Sequence, residues 1–293
     1  MRARLALPWL QSLGGLAILA LLVWSVGTGP FLDGLRVVDP GAVLAALCIG
    51  VLTTLCCAWR WQRVAAAFGV ELPLGEAVEA YYRSQFLNAT LPTGVAGDVH
   101  RAVRHGRAIG DLGVGAKAVV LERSASLVAQ VTIAASVLLV LPSPLRGSLP
   151  VAVAVVLAVL VVSAIVARSR SIDRTLLVVV VSSSGLALTG HLVVFLVAAR
   201  AAGSPAPMHD LVAPTLLALL AMALPLSLAG WGPREGVAAW AFGAAGLGAA
   251  QGVTTAVAYG VLSLVACLPG AVVLIRDALR SVPVAVSQGG AHD

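Results

Sequence analysis

Leu91-Pro-Thr-Gly-Val-Ala-Gly-Asp-Val-His-Arg101 and Leu224-Pro-Leu-Ser-Leu-Ala-Gly-Trp-Gly-Pro-Arg234 decide how this chain is read. Both fit Leu-Pro-x-x-x-Ala-Gly-x-x-x-Arg without a gap. Pro and Arg are scarce in a chain this rich in Ala and Leu, so their shared spacing points to an internal repeat. Each copy interrupts an apolar helical pattern with helix-breaking residues: Pro92, Gly94 and Gly97 in the first, Pro225, Gly230, Gly232 and Pro233 in the second.

The surroundings of these breaks are those of a membrane protein. Hydrophobic residues make up 59% of the 293 positions, charged residues only 11%, and mean hydropathy is +0.99. A water-soluble domain could not hide that much apolar surface. Several runs reach the roughly 20 apolar residues that a helix needs to span hydrocarbon. Alternating strand patterns are absent, which argues against a barrel. The net charge of +6 comes from arginines flanking apolar runs, so nucleic acid is not an expected partner. Cys48, Cys56, Cys57 and Cys267 lie in apolar runs and read as small hydrophobes, with no disulfide or metal spacing.

The expected fold class is all-α: a polytopic integral membrane protein with about six full spans and two re-entrant or broken-helix hairpins, an eight-span count being equally compatible. Spans are expected near 9–29, 40–58, 112–141, 149–167, 175–199 and 252–275. Asp33, Arg36 and Asp39 fall in a loop between the first two. A less apolar helix, 74–91, leads into the first break, and a short helix to about 107 leaves it. Segments 211–228 and 235–248 flank the second. Residues 1–280 form one transmembrane domain with repeat halves near 40–141 and 175–275, followed by a short cytoplasmic tail, 281–293. The N-terminal run resembles a signal peptide but is long and lacks a clear cleavage site, so it reads as an uncleaved span.

With the N-terminus in the cytoplasm, Arg2, Arg4, Arg60, Arg63, Arg104, Arg107, Arg168, Arg170, Arg174, Arg276 and Arg280 fall inside, and only Arg36, Arg146 and Arg200 outside. Both termini are then cytoplasmic, and an odd number of spans between the repeats turns the second copy upside down. Inverted repeats with broken helices near the midplane are a recurring plan of transporters. Irregular backbone survives at that depth only where protein or a water-filled cavity surrounds it. A cavity between the copies is therefore expected.

Its chemistry follows from the residues at the breaks. Asp98 can cap the helix after the first break; Gly232 can cap the second, with Pro233 at its first position. Helix N-termini favour anions, and Arg101 and Arg234 lie in the first turns, where a guanidinium fork matches phosphate oxygens. The plainer alternatives are an interfacial arginine at Arg101, an Arg234 neutralised by Glu235, and a satisfied helix polar group at Asn88. The intramembrane pair Glu122–Arg123, with Lys117 nearby, reads as functional or as a structural ion pair; Glu122 could face Arg101 or Arg234. His191 reads as a packing residue before a proton relay. Trp231 either walls the cavity or anchors at the interface. No nucleotide loop, nucleophile elbow or metal spacing is present, so no enzyme activity, cofactor or metal is expected.

Phe86-Leu-Asn-Ala-Thr-Leu-Pro-Thr-Gly-Val-Ala-Gly-Asp-Val-His-Arg101, Leu121-Glu-Arg123 and Pro225-Leu-Ser-Leu-Ala-Gly-Trp-Gly-Pro-Arg-Glu-Gly236 together resemble the lysylphosphatidylglycerol synthase transmembrane family, also called the flippase-like domain family. The resemblance covers nearly the whole chain. It implies site positions at Asn88, Pro92, Gly97, Asp98, Arg101, Glu122, Arg123, Pro225, Gly230, Arg234 and Glu235. In that family the membrane part of the multiple peptide resistance factor moves aminoacylated phosphatidylglycerol between leaflets. The full synthase adds a cytosolic aminoacyl-transferase domain after its membrane region; this sequence stops at Asp293 and is not expected to make lysyl-lipid. Thr93 and Ala229 stand where glycines are expected. The implied function is lipid translocation in the plasma membrane, with a phospholipid or polyprenyl-phosphate lipid as partner and a membrane-associated transferase as a second. A lipid-presenting scaffold and a membrane-embedded lipid-phosphate enzyme are the alternatives.

Overall fold

The computed structural model describes residues 2–92, 94–140, 145, 147, 174–222 and 227–281. The span expected over 149–167, Thr93, Pro225 and the tail after Ser281 lie outside them. The described residues are all-helical, with one isolated β-bridge between Leu228 and Trp231.

The helices are α1 (Arg2–Val26), α2 (Gly29–Arg36), α3 (Pro40–Ala67), α4 (Leu74–Thr90), α5 (Ala96–Ala108), α6 (Leu112–Val140), α7 (Arg174–Ala201), α8 (Met208–Ala221), α9 (Pro233–Ala244), α10 (Ala249–Cys267) and α11 (Pro269–Ser281). By length and apolarity, α3, α6, α7 and the α10–α11 run could each cross a membrane; α1 and α2, bent by 102° at their junction, could form a fifth crossing. Gly27 takes the bend at a φ of +87°.

Two boundaries differ from the sequence reading. The expected loop carrying Asp33 and Arg36 is helix α2, whose Gly34 lets it lie against Val257 and the Thr254 carbonyl of α10. Asp39 is the N-cap of α3: its Oδ1 accepts from the Ala42 N–H at 3.0 Å, with Pro40 in the first turn. That helix continues past residue 58 to Ala67. Ala58, Trp61 and Ala65 share a buried face, and Arg60 is carried into the interior with them.

The main core joins α3, α7, α8, α9 and α10 through Ala46, Leu188, Phe195, Leu211, Phe242 and Leu262. Small residues allow close approach: Gly190 of α7 backs onto Thr53 of α3, and Gly50 of α3 meets Ala266 of α10. Leu44, Leu139, Val178 and Leu186 point outward, as helices facing acyl chains require. The short helices α4–α5 and α8–α9 enclose the two breaks, and the breaks meet. A methyl group at Gly94, where φ is +64°, would overlap Ser227 Oγ, and Gly230 lies beside Asn88 and Ala89.

Candidate functional site

The first break begins where Leu91, extended ahead of Pro92, ends α4. Asp98 does not cap α5, as the sequence suggested. The cap comes from across the break: Asn88 Oδ1 accepts the Gly97 N–H at 2.7 Å. Asp98 is instead a junction. Its carboxylate accepts from Asn88 Nδ2 at 3.0 Å, Ser84 Oγ at 3.1 Å, Arg101 Nη2 at 3.2 Å and Arg123 Nη2. Gly97 is helical rather than a hinge. A Cβ there would strike the backbone of Ser84, so glycine is what lets α5 press against α4.

Arg101 is buried, and its Nη2 is committed to carboxylates. Its Nη2 donates to Glu122 Oε2 at 2.9 Å, and its guanidinium carbon lies 4.7 Å from the Trp61 ring centre and 4.3 Å from that of Tyr81. Glu122, fully buried, also accepts from Arg60 Nε at 2.8 Å and from Arg60 Nη2. Arg60 Nη1 donates to Ser184 Oγ at 3.0 Å, tying α3 to α7. Glu122 thus neutralises two arginines, and neither is Arg234.

The second break is a turn closed by reciprocal backbone hydrogen bonds between Leu228 and Trp231, both 2.9 Å. Ala229, Gly230 and Gly232 adopt positive φ angles of +50°, +80° and +115°. Gly232 caps α9 with Pro233 at its first position, as expected, and packs on the backbone of Gly15. Glu235 Oε2 accepts the Gly232 N–H at 2.7 Å, while its Oε1 accepts from Arg234 Nε at 2.8 Å and from Nη2. The adjacent pair meets because both residues lie in the first turn. The Arg234 guanidinium stands between Trp231 and Tyr259, at 5.2 and 5.3 Å from the ring centres. Gly260 leaves the room it occupies. Arg101 and Arg234 are thus each held by two aromatic rings and a buried carboxylate, with Asp98 added at Arg101.

Between the breaks lies a cavity of about 320 Å3. Arg60, Arg123 and Arg234 reach its wall, with Thr53, Thr54, Gln85, Asn88, Gln130 and Ser227 as polar company. Ile49, Leu188, Val194 and Leu262 form an apolar side. Among the described residues the lining has no carboxylate: Asp98, Glu122 and Glu235 stand behind the arginines. A sequence model of the lysylphosphatidylglycerol synthase transmembrane region matches residues 11–270.

The chain belongs to the lysylphosphatidylglycerol synthase transmembrane family.

No match was found among curated proteins. Of the motif positions of this family member, Asn88, Gly94, Arg123, Gly230, Trp231, Pro233 and Arg234 line the central cavity. Arg101 does not. It lines a second cavity of about 360 Å3 between α3, α4, α5 and α11, with Arg83, Arg104, His105, Arg276 and Asp277. The expectation that Arg101 and Arg234 grip one ligand from opposite sides is corrected accordingly: the arginines that line the central cavity with Arg234 are Arg60 and Arg123. At the second cavity, Asp277 accepts from Arg83 Nη2 and Arg104 Nη1, both at 2.8 Å. Arg276 hydrogen-bonds Glu79 and holds its carboxyl below the ordinary carboxylate range. His191 Nδ1 meets Tyr259 Oη at 2.9 Å on the central cavity wall, and Lys117 is exposed. No group of three His, Cys, Asp or Glu among the described residues is placed to hold a metal.

Proposed function

We propose that this protein carries a phosphate-bearing lipid headgroup from one leaflet to the other through the central cavity, without an energy source of its own. One observation carries the reading: three arginines line a cavity whose described lining holds no carboxylate and also includes apolar side chains. A guanidinium offers phosphate a planar pair of N–H donors, and it keeps its charge at any cellular pH. Glu122 and Glu235 offset the cost of burying Arg60 and Arg234, and Asp98 holds the exposed Arg123. The apolar side suits the first carbons of the lipid.

In this reading the halves near 40–141 and 175–275 are inverted repeats, the termini lie in the cytoplasm, and the membrane is the plasma membrane. The protein is not an enzyme. A zwitterionic or anionic phospholipid and a polyprenyl phosphate share the chemistry that the cavity recognises.

The test is movement of fluorescently labelled phospholipid in liposomes reconstituted with the purified protein. Arg123→Gln and Arg234→Gln are the variants of choice, since Asp98 keeps Ser84, Asn88 and Arg101, and Glu235 keeps the Gly232 N–H. Each should slow movement at least tenfold in folded protein. Unchanged movement in both variants overturns the mechanism. A protein that retains lipid through purification but moves none is one that presents lipid to a separate transferase.

A further inference from the structure

The second cavity is lined by side chains whose hydrogen-bonding capacity is unused. Arg101 Nε and Nη1, Arg83 Nε, His105 Nε2 and Trp61 Nε1 are buried and have no hydrogen-bond partner. Each of these four residues is at most 7% exposed. They come from three helices, α3, α4 and α5, yet all line the same space. A buried donor left unpaired costs about 1–3 kcal/mol. Several in one cavity are tolerated only where something polar fills it.

The charge balance says what kind of group that is. Five arginines line the cavity, Arg83, Arg101, Arg104, Arg276 and Arg280, against Glu76, Glu79 and Asp277, while Glu122 and Asp98 pair with Arg101 from outside the lining. Two of the lining acids are already paired: Asp277 with Arg83 and Arg104, Glu79 with Arg276. The unpaired groups are N–H donors, apart from the tautomer-dependent His105 ring nitrogen, and they sit where more arginines than acids line the space. The Trp61 ring, edge-on to His105 at 5.3 Å between centres, forms a rigid wall. A compact oxyanion meets this arrangement: it brings several acceptors at once, and arginine forks match its oxygens.

We propose that the cavity between α3, α4, α5 and α11 is a second anion site that binds a phosphate group, separate from the central cavity. It goes beyond the lipid-carrying reading and does not depend on it. The phosphate comes either from inorganic phosphate or from a lipid phosphomonoester.

Isothermal titration of the full-length protein in detergent tests this, with inorganic phosphate and short-chain dihexanoyl phosphatidic acid as probes and chloride as background. Trp61→Phe removes one donor and keeps a ring; Arg83→Gln removes another while Asp277 keeps Arg104 and Arg276. Titrated in an Arg234→Gln background, which removes the central cavity's contribution, the expected result is saturable binding weakened at least threefold by Trp61→Phe and tenfold by Arg83→Gln. Binding of both probes, or of phosphate alone, supports the site and assigns free phosphate as a ligand. Binding of the lipid probe alone, with the same variant pattern, supports it with a headgroup as ligand. Binding of neither probe overturns the proposal, as does binding that Arg234→Gln abolishes and Arg83→Gln leaves intact. The liposome assay, which reads Arg123 and Arg234, fails or succeeds independently.

Discussion

Glu122→Gln is the substitution that most directly probes what holds this fold together. Glu122 is fully buried and receives three N–H groups from Arg60 and Arg101. Glutamine keeps the shape, removes the charge, and turns a donor toward the arginines. Arg101 would still have Asp98 at 3.2 Å. Arg60 would be left with the neutral Ser184 hydroxyl and the Cys57 sulfur. Breaking a buried pair by removing one partner costs about 3–5 kcal/mol. At about 2–4 °C per kcal/mol for a chain of this size, Tm should fall by roughly 6–20 °C. The assay is thermal unfolding of detergent-purified protein, followed by intrinsic tryptophan fluorescence. Arg60→Met makes the control. Added to Glu122→Gln it removes the stranded charge, so the double variant should be markedly more stable than the two single losses summed. A Glu122→Gln protein within about 2 °C of wild type, or losses that simply add, would refute the assignment of Glu122 as the shared counter-ion.

Three further outcomes are expected. Gly260→Ala puts a methyl group against the Arg234 guanidinium and the Trp231 ring; lipid movement in liposomes should fall severalfold while Tm changes little. Gly97→Ala drives a methyl group into the Ser84 carbonyl and should destabilise by about 1–3 kcal/mol, read as a lower Tm. Ala229→Gly replaces an L-residue at a φ of +50° with one suited to it, so unfolding in detergent should shift upward by the equivalent of up to about 1 kcal/mol.

Much of this was legible in the residues. The paired Leu-Pro…Ala-Gly…Arg segments mark the two breaks, and the structure brings those breaks into contact. Gly232 and Pro233 start α9 as their chemistry predicts. Ala229, standing where a glycine was expected, occupies a backbone conformation that glycine prefers. What did not read correctly was depth. Arg60 follows an apolar run and precedes Arg63, which is how a flanking charge looks. Its burial depends on α3 continuing to Ala67. The signal was there in Ala58, Trp61 and Ala65, which keep one helical face apolar beyond Arg60. Arg101 failed differently. Sequence spacing equates it with Arg234, and its clamp of rings and carboxylate is indeed the same. Which side of the clamp opens onto which cavity depends on the packing of α4 against α5 and α11, and no local pattern encodes that. The assignment of Asp98 as a cap failed because Asn88, ten residues earlier, reaches across the break first.

The seam where Gly94 rests on Ser227 joins the two breaks at the central cavity. Arg60–Glu122 and Arg123–Asp98 tie neighbouring helices by ion pairs; here, among the described residues, a glycine turn rests on a serine side chain without any ionic fastening. Bulk added on either side wedges the turns apart, and a covalent staple across them would seal them. If cargo passes between the turns, the door needs no latch to be undone, only two surfaces to slide, and the traffic through it can be throttled by the size of a single side chain.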